Sequence, residues 1–147
     1  MEQSIKCVAE EGAILPSYQT NGAAGADIRA FLPNGSVLIP SGEWAIIPTG
    51  IKIQIPEGFE VQVRPRSGLS AKNGVTVLNT PGTIDSDYRG EIKVILINLG
   101  KDDFVVENGE RIAQLVVSPV TQFPFVRTDS LEETKRGENG FGSTGRL

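Results

Sequence analysis

The chain contains no histidine and a single cysteine, Cys7. Without histidine, Ser-His-Asp and Cys-His nucleophile schemes are excluded, as is every His-ligated metal site. One cysteine rules out an intrachain disulfide and disfavours Zn²⁺. Any metal is then a hard cation held by oxygens, Mg²⁺ first. Any general base is a carboxylate or, failing that, lysine or tyrosine. Cys7 reads as a small buried residue of the first strand, and a lone cysteine fits a reducing compartment. No run approaches the ~20 apolar residues of a membrane span. The N-terminus lacks the basic start and apolar core of a signal peptide. These features lead us to expect a soluble, cytoplasmic protein with no membrane partner. The formal net charge of −4 argues against a general nucleic-acid surface, which needs a basic patch. It leaves room for a phosphorylated small molecule, because a few local arginines suffice. A length of 147 residues fits one domain that buries its own core.

Glycine and proline are plentiful and spread along the chain, with 17 and 9 copies. Between them lie short runs rich in valine and isoleucine: residues 37–39, 44–47, 51–55, 59–63, 74–78, 91–98 and 111–117. Several alternate strictly. Ile51, Ile53 and Ile55 face one way while Lys52 and Gln54 face the other, and Phe59, Val61 and Val63 alternate with Glu60 and Gln62. That period of two marks strands with one buried face. Turn chemistry separates the runs, as at Pro33-Asn34-Gly35, Pro56-Glu57-Gly58 and Glu107-Asn108-Gly109. The expected fold class is all-β, a sandwich or barrel. Only Ser67 to Asn73 reads as helical, with Ser67 as N-cap and Gly74 as the C-terminal stop. Residues 1–126 form the expected β domain. Residues 127–147, glycine-rich and without alternation, are expected to form a mobile C-terminal arm.

Three segments can carry chemistry. Arg64-Pro65-Arg66-Ser67-Gly68-Leu69-Ser70 lies where a strand meets the short helix. Free N–H groups there, a hydroxyl and a guanidinium make an anion site; the alternative is an ordinary capped helix. Leu78 to Glu91 is a long hairpin connection holding three carboxylates and Tyr88. An ionised aspartate there can polarise a water for attack on phosphorus; the alternative is a polar turn. The tail from Arg136 to Gly145 nearly matches the phosphate-loop pattern GxxxxGK[ST]. However, Ser143 stands at the lysine position and too little chain follows for a helix. What remains is a glycine-rich strip able to lay N–H groups on phosphates while Phe141 stacks on a base, or a plain tail. Together these segments suggest a nucleotide phosphohydrolase without naming the nucleotide.

Two further strings complete a pattern: Ala24-Gly25-Ala26-Asp27 and Gly109-Glu110-Arg111-Ile112-Ala113-Gln114. With Arg66 to Ser70, Gly82 to Gly90 and Arg136 to Gly145, they resemble, in order, the five motifs of the trimeric dUTPase family. Leu15-Pro16-Ser17-Tyr18 also resembles the family's N-terminal strand exit. The resemblance spans residues 24–145 and departs at no catalytic position.

The resemblance implies a jelly-roll-like β-barrel assembled as a homotrimer, with active sites at subunit interfaces. The implied reaction is Mg²⁺-dependent hydrolysis of dUTP to dUMP and pyrophosphate. This would limit uracil incorporation into DNA and supply dUMP for thymidylate synthesis. Asp85 would activate the water that attacks the α-phosphorus. The hairpin from Asn79 to Lys93, including Thr83 and Ile84, would hold uracil, and Tyr88 would pack under the deoxyribose and exclude a ribose hydroxyl. Arg66, Ser67, Gly68 and Gln114 would grip the α- and β-phosphates. Mg²⁺ would be held mainly by the phosphates, with Asp27 reaching it through water. From another subunit, Arg136, Ser143 and Thr144 would meet the γ-phosphate, while Gly142 and Phe141 close over the base.

The nearest alternative of the same fold family is a dCTP deaminase, with or without the second activity. It needs a glutamate aimed at a ring carbon, where this chain offers Asp85. A nucleotide-binding regulator is a further alternative, and it would be marked by loss of Asp85 or of the arm.

Overall fold

The computed structural model describes residues 3–147. Its order is β1 (Lys6–Ala9), β2 (Gly25–Arg29), β3 (Ser36–Ile39), β4 (Trp44–Gln54), β5 (Phe59–Arg64), α1 (Ser67–Asn73), β6 (Val75–Val77), β7 (Gly82–Ile84), β8 (Glu91–Asn98), β9 (Phe104–Glu107) and β10 (Arg111–Pro119). There are two four-stranded sheets, β1-β4-β8-β6 and β2-β10-β5-β7, and a separate two-stranded β3-β9 ribbon, and every pairing is antiparallel. The sheets are not closed on one another by hydrogen bonds. The architecture is the expected jelly-roll-like β fold with one short helix.

Strict alternation builds the core. On β8, Ile92, Val94 and Leu96 are buried, and on β5 Val61 and Val63 are buried. They meet Ile47, Ile51 and Ile53 of β4 and Ile112, Ala113 and Leu115 of β10 in one apolar cluster. Burying each such side chain contributes about 1.5–3 kcal/mol. At the end of this core lies Asn98, fully buried. Its Nδ2 donates to the carbonyls of Ile39 (2.9 Å) and Asp102 (2.8 Å), and its Oδ1 accepts from Gly100 N–H (2.9 Å).

The structure departs from the sequence reading in several places. The runs 44–47 and 51–55 are one strand, β4, whose register shifts between Pro48 and Lys52. The Glu91 carboxylate accepts from the N–H groups of Thr49 and Gly50 at 3.2 Å each and so carries the chain through the irregularity. The connection from residue 78 to 91 contains a strand of its own, β7, paired with β5. Residues 104–107 form β9, whose alternation is too short to stand out. Cys7 is exposed, contrary to expectation, because β1 is an edge strand with no buried residue. Partial desolvation nevertheless raises its thiol pKa. Past Pro119 there is no strand or helix, and Phe123, Phe125 and Leu131 are exposed. No helix among the described residues is long and apolar enough to cross a membrane.

Candidate active site

The pairing of β5 with β7, beside β8, opens a cavity of about 280 Å³. Asn79, Thr83, Ile84, Asp85, Tyr88 and Lys93 all line it, together with Val63, Gly82, Glu91, Ile92 and Ile95. Every hairpin residue expected to hold the base or the water therefore faces one space. Local chemistry sets its shape. Tyr88 N–H donates to the Asp85 carbonyl (3.1 Å), closing a tight turn. The Tyr88 hydroxyl donates to the Glu91 carbonyl at 2.9 Å. Arg89 donates to the carbonyls of Ser86 (2.6 Å) and Tyr88 (3.1 Å), stiffening the same turn from outside. Asp85 is exposed, so its carboxylate is open to water and ligand.

A second cluster forms where β2, β10 and the end of β5 meet. Asp27 and Gln114 are cross-strand partners, and Gln114 is also opposite Arg64. The Asp27 carboxylate lies 3.2 Å from Arg111 Nη1 and 3.6 Å from Arg66 Nε. Arg66 Nη1 donates to the main-chain carbonyl of Arg111 at 3.2 Å. Gln114 Nε2 donates to the Pro65 carbonyl at 2.9 Å, tying β10 to the turn before the helix. A Cβ at Gly25 would overlap Gln114 Oε1, so a side chain there would push the glutamine amide from this position. Ser17 pairs with Asp27 through both backbone bonds, 2.9 and 3.2 Å, which anchors β2 from its other side.

The helix start differs from the expected cap. Arg66, in extended conformation, is the N-cap and makes no side-chain cap bond; Ser67 is the first helical residue. Ser67 and Gly68 therefore contribute N–H groups that an α-helix leaves without intrahelical partners, and both are exposed. Gly74 ends the helix as expected, at φ 68°. Arg64 points its guanidinium at Gln62 Oε1 (2.7 and 3.0 Å), in keeping with a supporting role on the strand.

Arg66, Ser67, Gly68 and Gln114 do not line the cavity. The arm reaches neither cluster: Arg136 Nε donates to Asn139 O at 2.8 Å within the arm, and Gly142, Ser143 and Thr144 are exposed. Phe141 is fully exposed, at φ 48°. The sequence by itself points to a role for neither Glu91 nor Arg111. Arg111 sits inside one of the five motifs and Glu91 directly follows another, but only cross-strand contacts reveal what they hold. Among the described residues no group of three His, Cys, Asp or Glu side chains could cage a metal. The oxygens of Asp27 face arginines, but each keeps a lone pair for a water. The donor set therefore fits an ion held chiefly by a phosphorylated ligand, with one water-mediated protein contact.

Comparisons with known proteins converge. The dUTPase family model matches residues 11–145. The deoxyuridine 5'-triphosphate nucleotidohydrolase of Chlamydia pneumoniae is 59% identical over 143 residues, covering 97% of this chain and 98% of that protein. The solved structure of Staphylococcus bacteriophage 80alpha dUTPase with dUPNHPP superposes with a TM-score of 0.84 at 27% identity, covering 99% of this chain and 100% of that one. A mutant dUTPase from phage phi11 of S. aureus, whose structure reveals the coordination of a structural Mg(II) ion, shares the fold with a TM-score of 0.79 at 22% identity, over 89% of this chain and 100% of that one. A match that takes in both side-chain clusters and the arm, and a relative of such identity across nearly its whole length, place this chain in the dUTPase family.

Proposed function

We propose that the chain hydrolyses dUTP to dUMP and pyrophosphate by water attack on the α-phosphorus. The observation that carries this reading is the cavity beside β7. It brings Asn79, Asp85 and Tyr88 together next to main-chain donors and acceptors of a hairpin. Backbone groups suit uracil because they copy a base-pairing edge and leave a cytosine's groups unpaired. The ring of Tyr88, pinned by its bond to Glu91, packs under the deoxyribose where a 2′-hydroxyl would sit. Thr83, Ile84 and Lys93 complete the base-binding wall.

Asp85 accepts the proton of the attacking water as the oxygen bonds to the α-phosphorus. The bond from that phosphorus to the α,β-bridging oxygen breaks, and pyrophosphate leaves with the electron pair. Arg66, the N–H groups of Ser67 and Gly68, and Gln114 hold the α- and β-phosphates in line. Charge-assisted donors positioned in advance lower the cost of developing charge. A bound Mg²⁺ supplies electrostatic stabilisation of the pyrophosphate leaving group, and Asp27 is the side chain suited to contact its water shell.

Residues 127–147 serve as a closing arm in this reading. Arg136, Ser143 and Thr144 meet the γ-phosphate, while Gly142 lets Phe141 lie over the base. Closure by such a lid excludes water and fixes reacting geometry. The arm acts on another subunit of a homotrimer. The exposed Trp44 and Ile46 on β4, and Phe123 and Phe125 before the arm, are large apolar groups of the kind that assembly covers.

A substrate panel tests the activity. The protein is incubated with Mg²⁺ and dUTP, dCTP, dTTP or UTP, and pyrophosphate and ammonia are assayed. Pyrophosphate from dUTP alone is expected. Ammonia from dCTP would replace this reading with a deaminase.

A further inference from the structure

Arg111 lies outside the cavity and outside the groups assigned to the phosphates, yet its side chain is built into the Asp27 cluster. We propose that Arg111 is a positioning residue for phosphate binding, neutralising Asp27 so that Arg66 keeps its charge and donors for the substrate. The inference rests on a triphosphate substrate of the site described above.

The placement of Arg111 depends on a bulge. In a regular strand, residues two apart share a face, so Arg111 would point into the core with Ala113 and Leu115. Instead the register shifts between Arg111 and Ala113, and Ile112 and Ala113 are both buried, at 1% and 0% exposure. One extra residue is absorbed, and Arg111 and Gln114 come out on the same side, both beside Asp27. A bulge interrupts the ladder locally and re-aims a side chain. Here the side chain it re-aims is a guanidinium, set against the carboxylate.

Charge then explains the arrangement. Asp27 alone with Arg66 would make a neutral pair; with Arg111 the cluster carries one net positive charge. The close contact of Asp27 is to Arg111 at 3.2 Å, while Arg66 stands at 3.6 Å, beyond good hydrogen-bond range. Of the five N–H donors of Arg66, one is used on the Arg111 carbonyl, and most stay free for phosphate oxygens. The three side chains are only 13%, 28% and 38% exposed, so solvent screens their interaction incompletely. Without the second guanidinium, Asp27 would close on Arg66 with both oxygens, turning it away and cancelling its charge.

The test is binding of dUPNHPP and of dUMP in the presence of a chelator, by calorimetry on the full chain. It uses Arg111→Gln, Arg111→Lys and the double variant Asp27→Asn/Arg111→Gln. Wild-type turnover of dUTP, measured alongside, reports separately on the assigned activity. Arg111→Gln is expected to weaken dUPNHPP about ten-fold or more, with a clearly smaller loss for dUMP, which carries fewer charges. Arg111→Lys should retain most of the affinity, because it keeps the charge. The double variant should recover affinity relative to Arg111→Gln, a coupling that simple loss of packing does not produce. Equal losses for both ligands, unchanged dUPNHPP binding, or no recovery in the double variant would overturn the proposal. Thermal melting of each variant separates a folding defect from a binding one.

Discussion

The Tyr88 hydroxyl reaches over Gly90 to the carbonyl of Glu91, at 2.9 Å. A methyl group at Gly90 would overlap that hydroxyl and the ring carbon bearing it. The missing side chain at residue 90 is therefore what allows the tyrosine ring to lie in the cavity. Gly90→Ala should displace the ring and lower kcat/KM for dUTP by about ten-fold or more, with little change in melting temperature because the turn is exposed. Steady-state kinetics with dUTP check this; an unaltered kcat/KM would mean the ring is held by something else.

Removing the ring altogether tests sugar selection. Tyr88→Ala is expected to admit UTP, raising its kcat/KM relative to dUTP. Competition between the two substrates reads this directly. Continued rejection of UTP would place discrimination elsewhere in the hairpin.

Asp85 is exposed at the cavity and is the general base we propose there. Asp85→Asn preserves shape and removes basicity, so turnover should fall by about 10²–10⁴-fold, the usual contribution of general-base catalysis. Binding of dUTP should persist. Single-turnover kinetics and calorimetry separate the two effects, and near-normal turnover would remove Asp85 from the mechanism.

Truncation after Arg136 leaves every strand intact, since the last one ends at Pro119. Loss of residues 137–147 is expected to reduce kcat/KM by roughly 100-fold without lowering the melting temperature. An unchanged rate would reduce the arm to a tail.

Asn98 predicts a stability effect instead. Asn98→Ala strands the Ile39 and Asp102 carbonyls and Gly100 N–H, whose bonds to the Asn98 side chain measure 2.8–2.9 Å. Of these only the contact to Ile39 is buried, the other two being part-buried; one stranded buried group costs about 1–3 kcal/mol, so the melting temperature should drop by around 5–10 °C. Differential scanning calorimetry measures it, and a shift below a degree or two would show that water replaces the amide.

Much of this molecule is written locally. The alternation at Ile51-Ile53-Ile55 and Phe59-Val61-Val63 sets which faces are buried, because side-chain direction in a strand repeats every two residues. Glycine and proline turns delimit the strands, and Gly74 stops the helix at positive φ for the same local reason. The hairpin residues fall together in the cavity because they are close in sequence, and a turn of that length cannot separate them far. What is not local was decided by the tertiary structure. The bulge at Ile112 depends on how β10 meets β2, and it alone brings Arg111 to Asp27, 84 positions away. The exposure of Cys7 follows from the edge position of β1, and the continuity of β4 from the Glu91 carboxylate across the sheet. Sequence periodicity specifies a face; which partner meets that face, and where the register slips, is set by cross-strand packing between distant segments.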